Sequence, residues 1–359
     1  MTATGRGVSH HSSLQNHIPP SVSYFRILTR MVSLYRRVQS QEKLLKDQLP
    51  ALLADIVPAH DKLFSAAHIK RITKYWQLAL NLVCENLYQL SERQLQASEY
   101  KRIMLLSVFG PLFDDLFDDK ILQHEQIAAL VARPETYVAQ NETDLLVTKL
   151  YLALLELTPN RQLFVHQLQQ VSHWQIASLK QLKDNLTKEE LQEITYNKSY
   201  YAILLFCAVL DFYPDQQLLE ILYPVAGLMQ LTNDAFDVWK DVQHGVYTLP
   251  NRYLNFEELQ ALFLSEIALI NQKLWQLPYG ARNKQSFAIT VHSLHAMGWI
   301  SLEQLKNVTA AISTYAELQQ LSRKTLVCDM DSWQQKKKWL KQIRQFVNYY
   351  GSNTTPASR

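Results

Sequence analysis

Glycine is scarce in this chain, with 8 glycines among 359 residues. Glycine supplies the left-handed turns and close backbone approaches that β-rich folds and phosphate-binding loops need. The low count therefore argues against turn-rich β architectures and against nucleotide-binding folds built on glycine loops. Apolar residues make up 47% of the chain, which is too large a share for a disordered protein.

Cysteines and long apolar runs are also few. The three cysteines, Cys84, Cys207 and Cys328, are far apart and odd in number, which predicts reduced core thiols in a cytosolic protein. No uncharged apolar run reaches the length of a membrane span, so we expect no transmembrane segment. The first 21 residues are polar and lack the apolar region of a signal peptide. Together these observations predict a cytoplasmic protein.

Charge is not concentrated in any part of the chain. The net charge is +3, and Lys336–Lys338 is the only run of three cations. A solvated helix face explains such a run, and a nucleic-acid-binding protein would carry a larger basic block or tail. We therefore expect no nucleic-acid partner.

Helical periodicity dominates the sequence. Between Ile69 and Leu90, apolar residues recur with a spacing near 3.6 residues, and similar patterns continue to residue 349. Thr187–Glu190 and Ser301–Gln304 have the form of capping boxes that open helices. Prolines at 50, 58, 134, 159, 214, 250 and 278 fall between the patterns. We found no convincing strand alternation, so the sequence predicts an all-α fold.

The helices are expected to form one domain. No long polar linker interrupts the patterns, which favours a single helical bundle of about ten helices at residues 22–350. Residues 1–21 are interpreted as a disordered N-terminal segment, and residues 351–359 as a flexible C-terminal tail.

Two acidic stretches within apolar helical segments are the most informative feature. The first contains Asp114, Asp115, Asp118 and Asp119, and the second contains Asn233, Asp237 and Asp241. Residues four apart share a helix face, so each stretch places oxygen ligands side by side. Burying like charges is costly unless a cation neutralises them. Mg²⁺ binds such carboxylates together with substrate phosphates, so the pattern predicts a magnesium site around a diphosphate.

Gly110–Pro111 precedes the first stretch and has two interpretations. A proline inside a helix would kink it and could direct the carboxylates into a cavity. A proline at the first turn would instead begin a new helix.

The two stretches together resemble those of the class I isoprenoid synthases. Asp114-Asp115-Leu-Phe-Asp118 resembles the DDxxD metal motif of that superfamily. The segment from Gln230 through the second stretch to Pro250 is similar to the second metal motif of squalene and phytoene synthases. Its spacing is also that of the metal-binding triad of terpene cyclases. The chain is also similar to the large-terpene synthases, which lie between these groups.

The chain also departs from the family pattern. Asp119 is an extra acid, so the metal-binding pair of the first stretch is not defined. The arginine-rich signatures of squalene synthase are missing. Arg252–Tyr253 lies too close to the second stretch to be the C-terminal Arg-Tyr pair of cyclases.

The resemblance implies an all-α synthase with a central cavity and a site shared by two walls. Asp114, Asp115, Asp118 and Asp119 would bind Mg²⁺ on one wall, and Asn233, Asp237 and Asp241 on the other. Roughly two or three ions would neutralise the diphosphate that leaves a prenyl diphosphate substrate. Candidate substrate contacts are the cations Lys198, Lys240 and Arg252 and the aromatic residues Phe113, Phe117 and Phe236. Arg102 is a further candidate cation, and His292 and His295 are candidate bases.

The resemblance leaves more than one activity open. A terpene synthase acting on one prenyl diphosphate is the favoured interpretation. A prenyltransferase of the squalene/phytoene synthase type, which couples two prenyl diphosphates, is the alternative, and a non-catalytic helical scaffold is the third. Ala59-His60-Asp61 lacks the further histidines of a metal phosphohydrolase, and no paired Glu-x-x-His segments indicate a di-iron bundle. The oligomeric state, including a homodimer, remains open.

The metal assignment predicts the effect of two substitutions. Asp114→Ala or Asn233→Ala should abolish turnover with little loss of folded structure, because each removes one oxygen ligand from the site. Turnover assays and circular dichroism of both variants would measure this. Unfolded variants, or variants with full activity, would show that the metal assignment is wrong.

Overall fold

The computed structural model describes residues 20–57, 64–252, 256–312 and 314–351. All regular structure within these residues is helical, and they contain no strand. The prediction of an all-α fold is confirmed. The predicted terminal segments at 1–21 and 351–359 lie almost entirely outside the described residues, as do His60 and Asp61.

The helices follow one another along the chain with short connections. They are α1 (Tyr24–Ala54), α2 (Ala66–Leu78), a π-helical turn (Ala79–Cys84), α3 (Glu85–Leu90), α4 (Ala97–Asp118), α5 (His124–Ala132), α6 (Glu142–Leu157), α7 (Arg161–Ser178), a 3₁₀ turn (Leu179–Leu182), α8 (Lys188–Ala208), α9 (Gln216–Gln243), α10 (Leu249–Arg252), α11 (Phe256–Gln276), α12 (Ala281–Val308), α13 (Tyr315–Gln319), α14 (Arg323–Leu326) and α15 (Trp333–Val347). Several short helices were not predicted, because a helix of one or two turns is too short to show a 3.6-residue period. None of the described helices combines the length and apolarity of a membrane span.

One of the two predicted capping boxes is present. Thr187 caps α8, since its hydroxyl accepts a hydrogen bond from the Glu190 amide at 3.1 Å and Glu190 accepts one from the Thr187 amide at 2.9 Å. The prediction for Ser301 is wrong, because α12 runs through this residue without interruption. The Ser301 hydroxyl is buried and donates to the Ala235 carbonyl at 3.1 Å. The hydroxyl therefore links two packed helices instead of opening one.

Prolines interrupt the helices less than the sequence predicts. Pro50 lies inside α1 and Pro250 is the second residue of α10, which corrects the prediction that both fall between helices. Pro224 lies inside α9. Pro111 lies inside α4, so the interpretation that it begins a new helix is wrong. An internal proline costs about 3 kcal/mol, and the nearly complete burial of α4 around Pro111 offsets this cost.

Helix α9, which carries the second acidic stretch, packs on α8, α11 and α12. Two glycines permit these close contacts. A Cβ atom on Gly227 would lie 2.5 Å from the Tyr196 ring of α8, and one on Gly298 of α12 would lie 2.2 Å from Thr232 Oγ1. Real Cβ atoms do not approach other atoms this closely. The two glycines therefore fix how near α8 and α12 approach the acidic helix.

The first acidic stretch lies on α4, which packs on α2, α6 and α7. Helix α7 in turn packs on α8, and α8 packs on α9. The helices α7 and α8 therefore connect the two acidic helices. Side chains of α7 and α8 are therefore the ones placed to interact with acids of both stretches.

The contact between α9 and α12 predicts that Gly298→Ala destabilises the fold. The added methyl group would push Thr232 away, and such overpacking costs about 1–3 kcal/mol. Urea or thermal unfolding would measure the loss. Asn307→Ala is the matched control, because Asn307 is exposed on the same helix. An unchanged unfolding midpoint for Gly298→Ala would contradict the close approach of the two helices.

Candidate functional site

Asp115 of the first stretch is held by an arginine of α2. Arg71 Nη1 donates to Asp115 Oδ1 at 2.6 Å, and Arg71 Nη2 donates to the Pro111 carbonyl at 3.0 Å. Asp115 is buried, so this ion pair neutralises a carboxylate that would otherwise be costly to bury. One predicted metal ligand thus has a protein cation as its partner in this structure.

Asp114 faces a different set of partners. It accepts hydrogen bonds from the Tyr75 hydroxyl and from Gln175 Nε2, the latter at 3.4 Å. The Tyr75 ring can reach it because Gly110 has no side chain, and a Cβ there would lie 3.1 Å from the ring. Burial raises the pKa of Asp114, and the negative charge of Asp118 adds to the rise. Asp114 would therefore gain from an additional positive charge.

The other two acids of the first stretch are exposed at the end of α4. Asp118 is the last residue of the helix, and Asp119 is its C-cap. The interaction between Asp118 and Asp114 is the one expected for residues four apart on a helix. Asp119 lies just beyond the last helical residue and is exposed, so it does not share the buried position of Asp115.

The second stretch forms the predicted side-by-side arrangement on α9. Asn233 is exposed, and its Nδ2 donates to Asp237 Oδ2 at 3.3 Å. Asp237 and Asp241 are both partly buried. Burial raises the pKa of Asp241 to about 7, and the nearby negative charges of Asp234 and Asp237 add to this.

Asp234 is a member of this site that the sequence reasoning missed. It is 5% exposed and accepts a hydrogen bond from Gln230 Nε2 at 2.8 Å. Burial raises its pKa to about 7. The signal was present in the sequence, because Asp234, Asp237 and Asp241 have the i, i+3, i+7 spacing of one helix face. The partners Arg71, Tyr75 and Gln175 were also missed, since they come from other helices.

Lys198 of α8 is near enough to both acidic stretches for its charge to act on acids of each. Its positive charge lowers the pKa of Asp114 on α4 and the pKa values of Asp234 and Asp241 on α9. The side chain is partly buried, so solvent screens these interactions less than it would at the surface. The structure therefore brings Lys198 and carboxylates of both stretches into one electrostatic environment.

The other two predicted cations lie near the second stretch but point to solvent. Lys240 is exposed, and its charge lowers the pKa of the neighbouring Asp241. Arg252 is also exposed, donates from Nη2 to the Asp184 carbonyl at 2.9 Å and lies 5.8 Å from the Tyr247 ring centre. Its neighbour Tyr247 is fixed by its amide hydrogen bond to the Gln181 carbonyl at 2.7 Å.

The predicted aromatic residues differ in exposure. Phe113 and Phe117 are buried, with a ring separation of 5.4 Å, and Phe113 also stacks on Phe109 at 5.1 Å. They are core residues of α4 in this structure, while Phe236 is only partly buried. Three clefts of about 540 to 740 Å³ on the described surface are lined by residues from other regions. Contact of these rings with a substrate remains a prediction.

Arg102 lies away from both acidic stretches. Its Nε donates to the Val209 carbonyl and its Nη2 to Asp211, each at 2.6 Å. Arg102 is buried at the opposite end of α4 from the acids. It fixes the chain that follows α8 and does not join the candidate site.

His292 and His295 lie in the core between α11, α12 and α15. Asn271 Nδ2 donates to two carbonyls, at Phe346 and Tyr349, which leaves its Oδ1 to accept from His292 Nε2 at 3.0 Å. His292 Nδ1 then accepts from His295 Nδ1 at 3.1 Å. Burial lowers the pKa of His292 well below its usual range and the pKa of His295 to about 3. This arrangement favours a structural role over the role of a base.

The donor set of the acidic stretches suits a hard cation such as Mg²⁺, since every candidate ligand is an oxygen. Within the described residues, no three His, Cys, Asp or Glu side chains surround a common point. Mg²⁺ usually takes one or two carboxylates and completes its shell with water and substrate phosphates. Asp114 on α4 and Asp234 and Asp241 on α9, whose pKa values are raised, fit this mode of binding, although Asp115 would have to exchange its arginine partner.

No protein-family model matches the sequence, and no curated protein matches it. The similarity to the isoprenoid synthases therefore rests on the two acidic stretches and their order in the chain.

The buried histidine pair predicts that acid destabilises the protein. The folded state keeps both rings neutral, while the unfolded chain binds protons below about pH 6.5, so stability falls as the pH falls. Each histidine should contribute a loss of up to about 2 kcal/mol between pH 7 and pH 5. Unfolding free energies across this range would show a smaller pH dependence for His295→Gln than for the unchanged protein. His166→Gln is the control, since His166 is exposed, and an equal effect of both substitutions would contradict the prediction.

Proposed function

We propose that this chain is a Mg²⁺-dependent class I terpene synthase that ionises one prenyl diphosphate and releases diphosphate. The observation that carries the proposal is that two stretches of acids on separate helices, α4 and α9, both include carboxylates influenced by the charge of Lys198. Mg²⁺ binds one or two carboxylates together with substrate phosphates, and a nearby lysine would add positive charge for a diphosphate. A non-catalytic scaffold does not explain why Asp234 is buried and Asp114 is partly buried, because placing a carboxylate away from water costs free energy.

The protein residues have separate tasks in this proposal. Asp114, Asp115 and Asp118 on α4, and Asn233, Asp237 and Asp241 on α9, would hold Mg²⁺, with Asp234 as an additional candidate. Bound Mg²⁺ would supply electrostatic stabilisation of the departing diphosphate. Lys198 would add a fixed positive charge on the same side of the substrate.

Neighbouring side chains would keep these groups in position. Tyr75 and Gln175 orient the Asp114 carboxylate through their hydrogen bonds. Gln230 does the same for Asp234. Such preorganisation lowers the cost of rearrangement when charge develops on the leaving group. Phe236, the most accessible of the three candidate rings, is the best placed to contact a carbocation.

A prenyltransferase that couples two prenyl diphosphates is the second candidate. The segment from Gln230 to Pro250 supports it, because this segment resembles the squalene and phytoene synthases along its whole length. Gln181 fastens the later part of the segment through hydrogen bonds with the Tyr247 amide and carbonyl. We also propose a cytoplasmic location, based on the three buried free cysteines, and leave a homodimer as one candidate assembly.

The proposal is tested by incubating the purified protein with geranyl, farnesyl, geranylgeranyl and longer prenyl diphosphates, with and without Mg²⁺. A Mg²⁺-dependent hydrocarbon from one substrate is the expected result, and its length would identify the substrate. A coupled product would favour the prenyltransferase. No turnover, together with no Mg²⁺-dependent binding of diphosphate, would overturn both activities and favour the scaffold.

Variants of Lys198 test its proposed role in the same assay. Lys198→Gln should lower kcat/KM by at least about 100-fold, because the variant loses a charge that stabilises the leaving group. Lys198→Arg should retain more activity. Lys188→Gln is the matched control, since Lys188 lies on the same helix and pairs with Glu258 at the surface. Equal activity of the Lys198→Gln and Lys188→Gln variants would exclude the proposed role of Lys198.

A further inference from the structure

The first half of α1 exposes a strip of apolar side chains. Tyr24, Phe25, Leu28, Val32 and Tyr35 are 44%, 78%, 45%, 49% and 64% exposed. At 100° per residue they occupy one contiguous flank of the helix, which we name the α1 strip. Single exposed apolar residues are ordinary, but a continuous patch of them marks a surface that contacts something else.

The opposite flank of α1 is fixed to the bundle. Ile27 is fully buried, and Arg30 donates to Thr290 at 2.8 Å and to Gln89 at 2.8 Å. The α1 strip is therefore held in place by a helix whose other side is anchored. From Val22 to Gln41 the sequence contains no acidic residue.

Helix α15 presents a cationic surface. It contains five cations and no acid, with Lys336, Lys337, Lys338 and Lys341 exposed and Arg344 near its end. Trp333, Lys337, Lys341 and Arg344 follow an i, i+4, i+8, i+11 spacing, so they share one flank, which we name the α15 face. Trp333 is 70% exposed, with the Lys337 ammonium 5.6 Å from its ring centre.

The α1 strip and the α15 face meet at one contact. The Arg344 guanidinium lies over the Tyr24 ring at 4.8 Å, and the Val22 amide donates to Asn348 Oδ1 at 2.8 Å. A cleft of about 610 Å³ opens at this junction. The cleft is lined by aromatic residues and cations, among them Tyr24, Trp299, Phe346, Lys341 and Arg344. Glu303 is the acidic residue of its lining. Aromatic surface and cations are thus combined on one side of the molecule.

We propose that the α1 strip and the α15 face together form a docking surface for a lipid bilayer that contains anionic phospholipids. Aromatic and aliphatic side chains of an amphipathic helix enter the boundary between headgroups and acyl chains. Lysine and arginine side chains beside them attract anionic headgroups. This inference goes beyond the proposed reaction and does not depend on it.

Charge distinguishes the bilayer from other occupants of this surface. In a symmetric dimer the same patch lies on both copies, so the cations of two α15 faces would repel each other. Residues 1–19 of the chain contain no acidic residue, so they do not complement the cations either. An anionic bilayer supplies both an apolar phase for the α1 strip and negative charge for the α15 face.

The experiment is co-sedimentation of the full-length protein with vesicles of phosphatidylcholine alone or with about one third phosphatidylglycerol. Binding should rise with the anionic lipid and fall as salt increases. Binding to neither kind of vesicle, or equal binding to both, would overturn the proposal. Phosphatidylglycerol is the probe because its headgroup carries a negative charge without a specific metal or protein ligand.

Variants separate the two parts of the surface. Lys337→Glu combined with Lys341→Glu should weaken binding to anionic vesicles at least about tenfold. Phe25→Ser combined with Val32→Ser should remove the binding that persists at high salt. Val138→Ser combined with Lys149→Glu is the control, because Val138 is exposed in the connection before α6 and Lys149 is exposed on α6, which packs on α4 and α7. An equal loss in the control would overturn the assignment of this surface.

A spin label tests the alternative occupants directly. The three native cysteines are buried, so Val32→Cys offers one accessible thiol for a nitroxide. The label should be mobile in buffer and become accessible to oxygen when vesicles are added. A label that is immobile without vesicles in a monomeric protein would show that another part of the chain covers the α1 strip. A concentration-dependent dimer abolished by Phe25→Ser with Val32→Ser would show an interface between copies, and either result would overturn the proposal.

Discussion

The balance of buried charge between α4, α8 and α9 is the constraint on which the candidate site depends. Asp114 and Asp234 lie in helices that are otherwise packed with apolar side chains, where an unpaired carboxylate is expensive. Lys198 supplies charge to both, while Tyr75 and Gln230 supply hydrogen bonds. The compensation is incomplete, because the pKa values of Asp234 and Asp241 remain near 7. These carboxylates would gain from a further positive charge, as the proposed Mg²⁺ site requires.

Helix packing determines which groups take part in this balance. Gly227 and Gly298 let α8 and α12 approach α9 closely, so a side chain of α8 such as Lys198 can act on acids of α9. Gly110 has the same effect on α4, where it makes room for the Tyr75 ring. Three of the eight glycines, Gly110, Gly227 and Gly298, thus lie where two helices approach each other closely.

Aromatic side chains are buried around the candidate site and exposed on the proposed membrane surface. Around α4 the rings of Phe109, Phe113 and Phe117 are buried together in the core. Along α1 the rings of Phe25 and Tyr35 remain exposed, beside a helix whose cations have no acidic neighbour within it. A prenyl chain is as apolar as an acyl chain, so an enzyme that acts on prenyl diphosphates would benefit from contact with a bilayer.

The sequence by itself determined the helical class, most of the long helices and the two acidic stretches. Periodicity and the i, i+4 rule are properties of a single helix, so they can be read without knowledge of its neighbours. The same information predicted Lys198 as a member of the site, and it contained the spacing of Asp234, which was overlooked. Only the tertiary structure decided that Arg71 pairs with Asp115, that Arg102 anchors the end of α8, and that Ser301 and Pro111 lie inside continuous helices. Each of these outcomes depends on contacts between residues distant in the chain, and burial against those partners outweighs the local preferences that the sequence expresses.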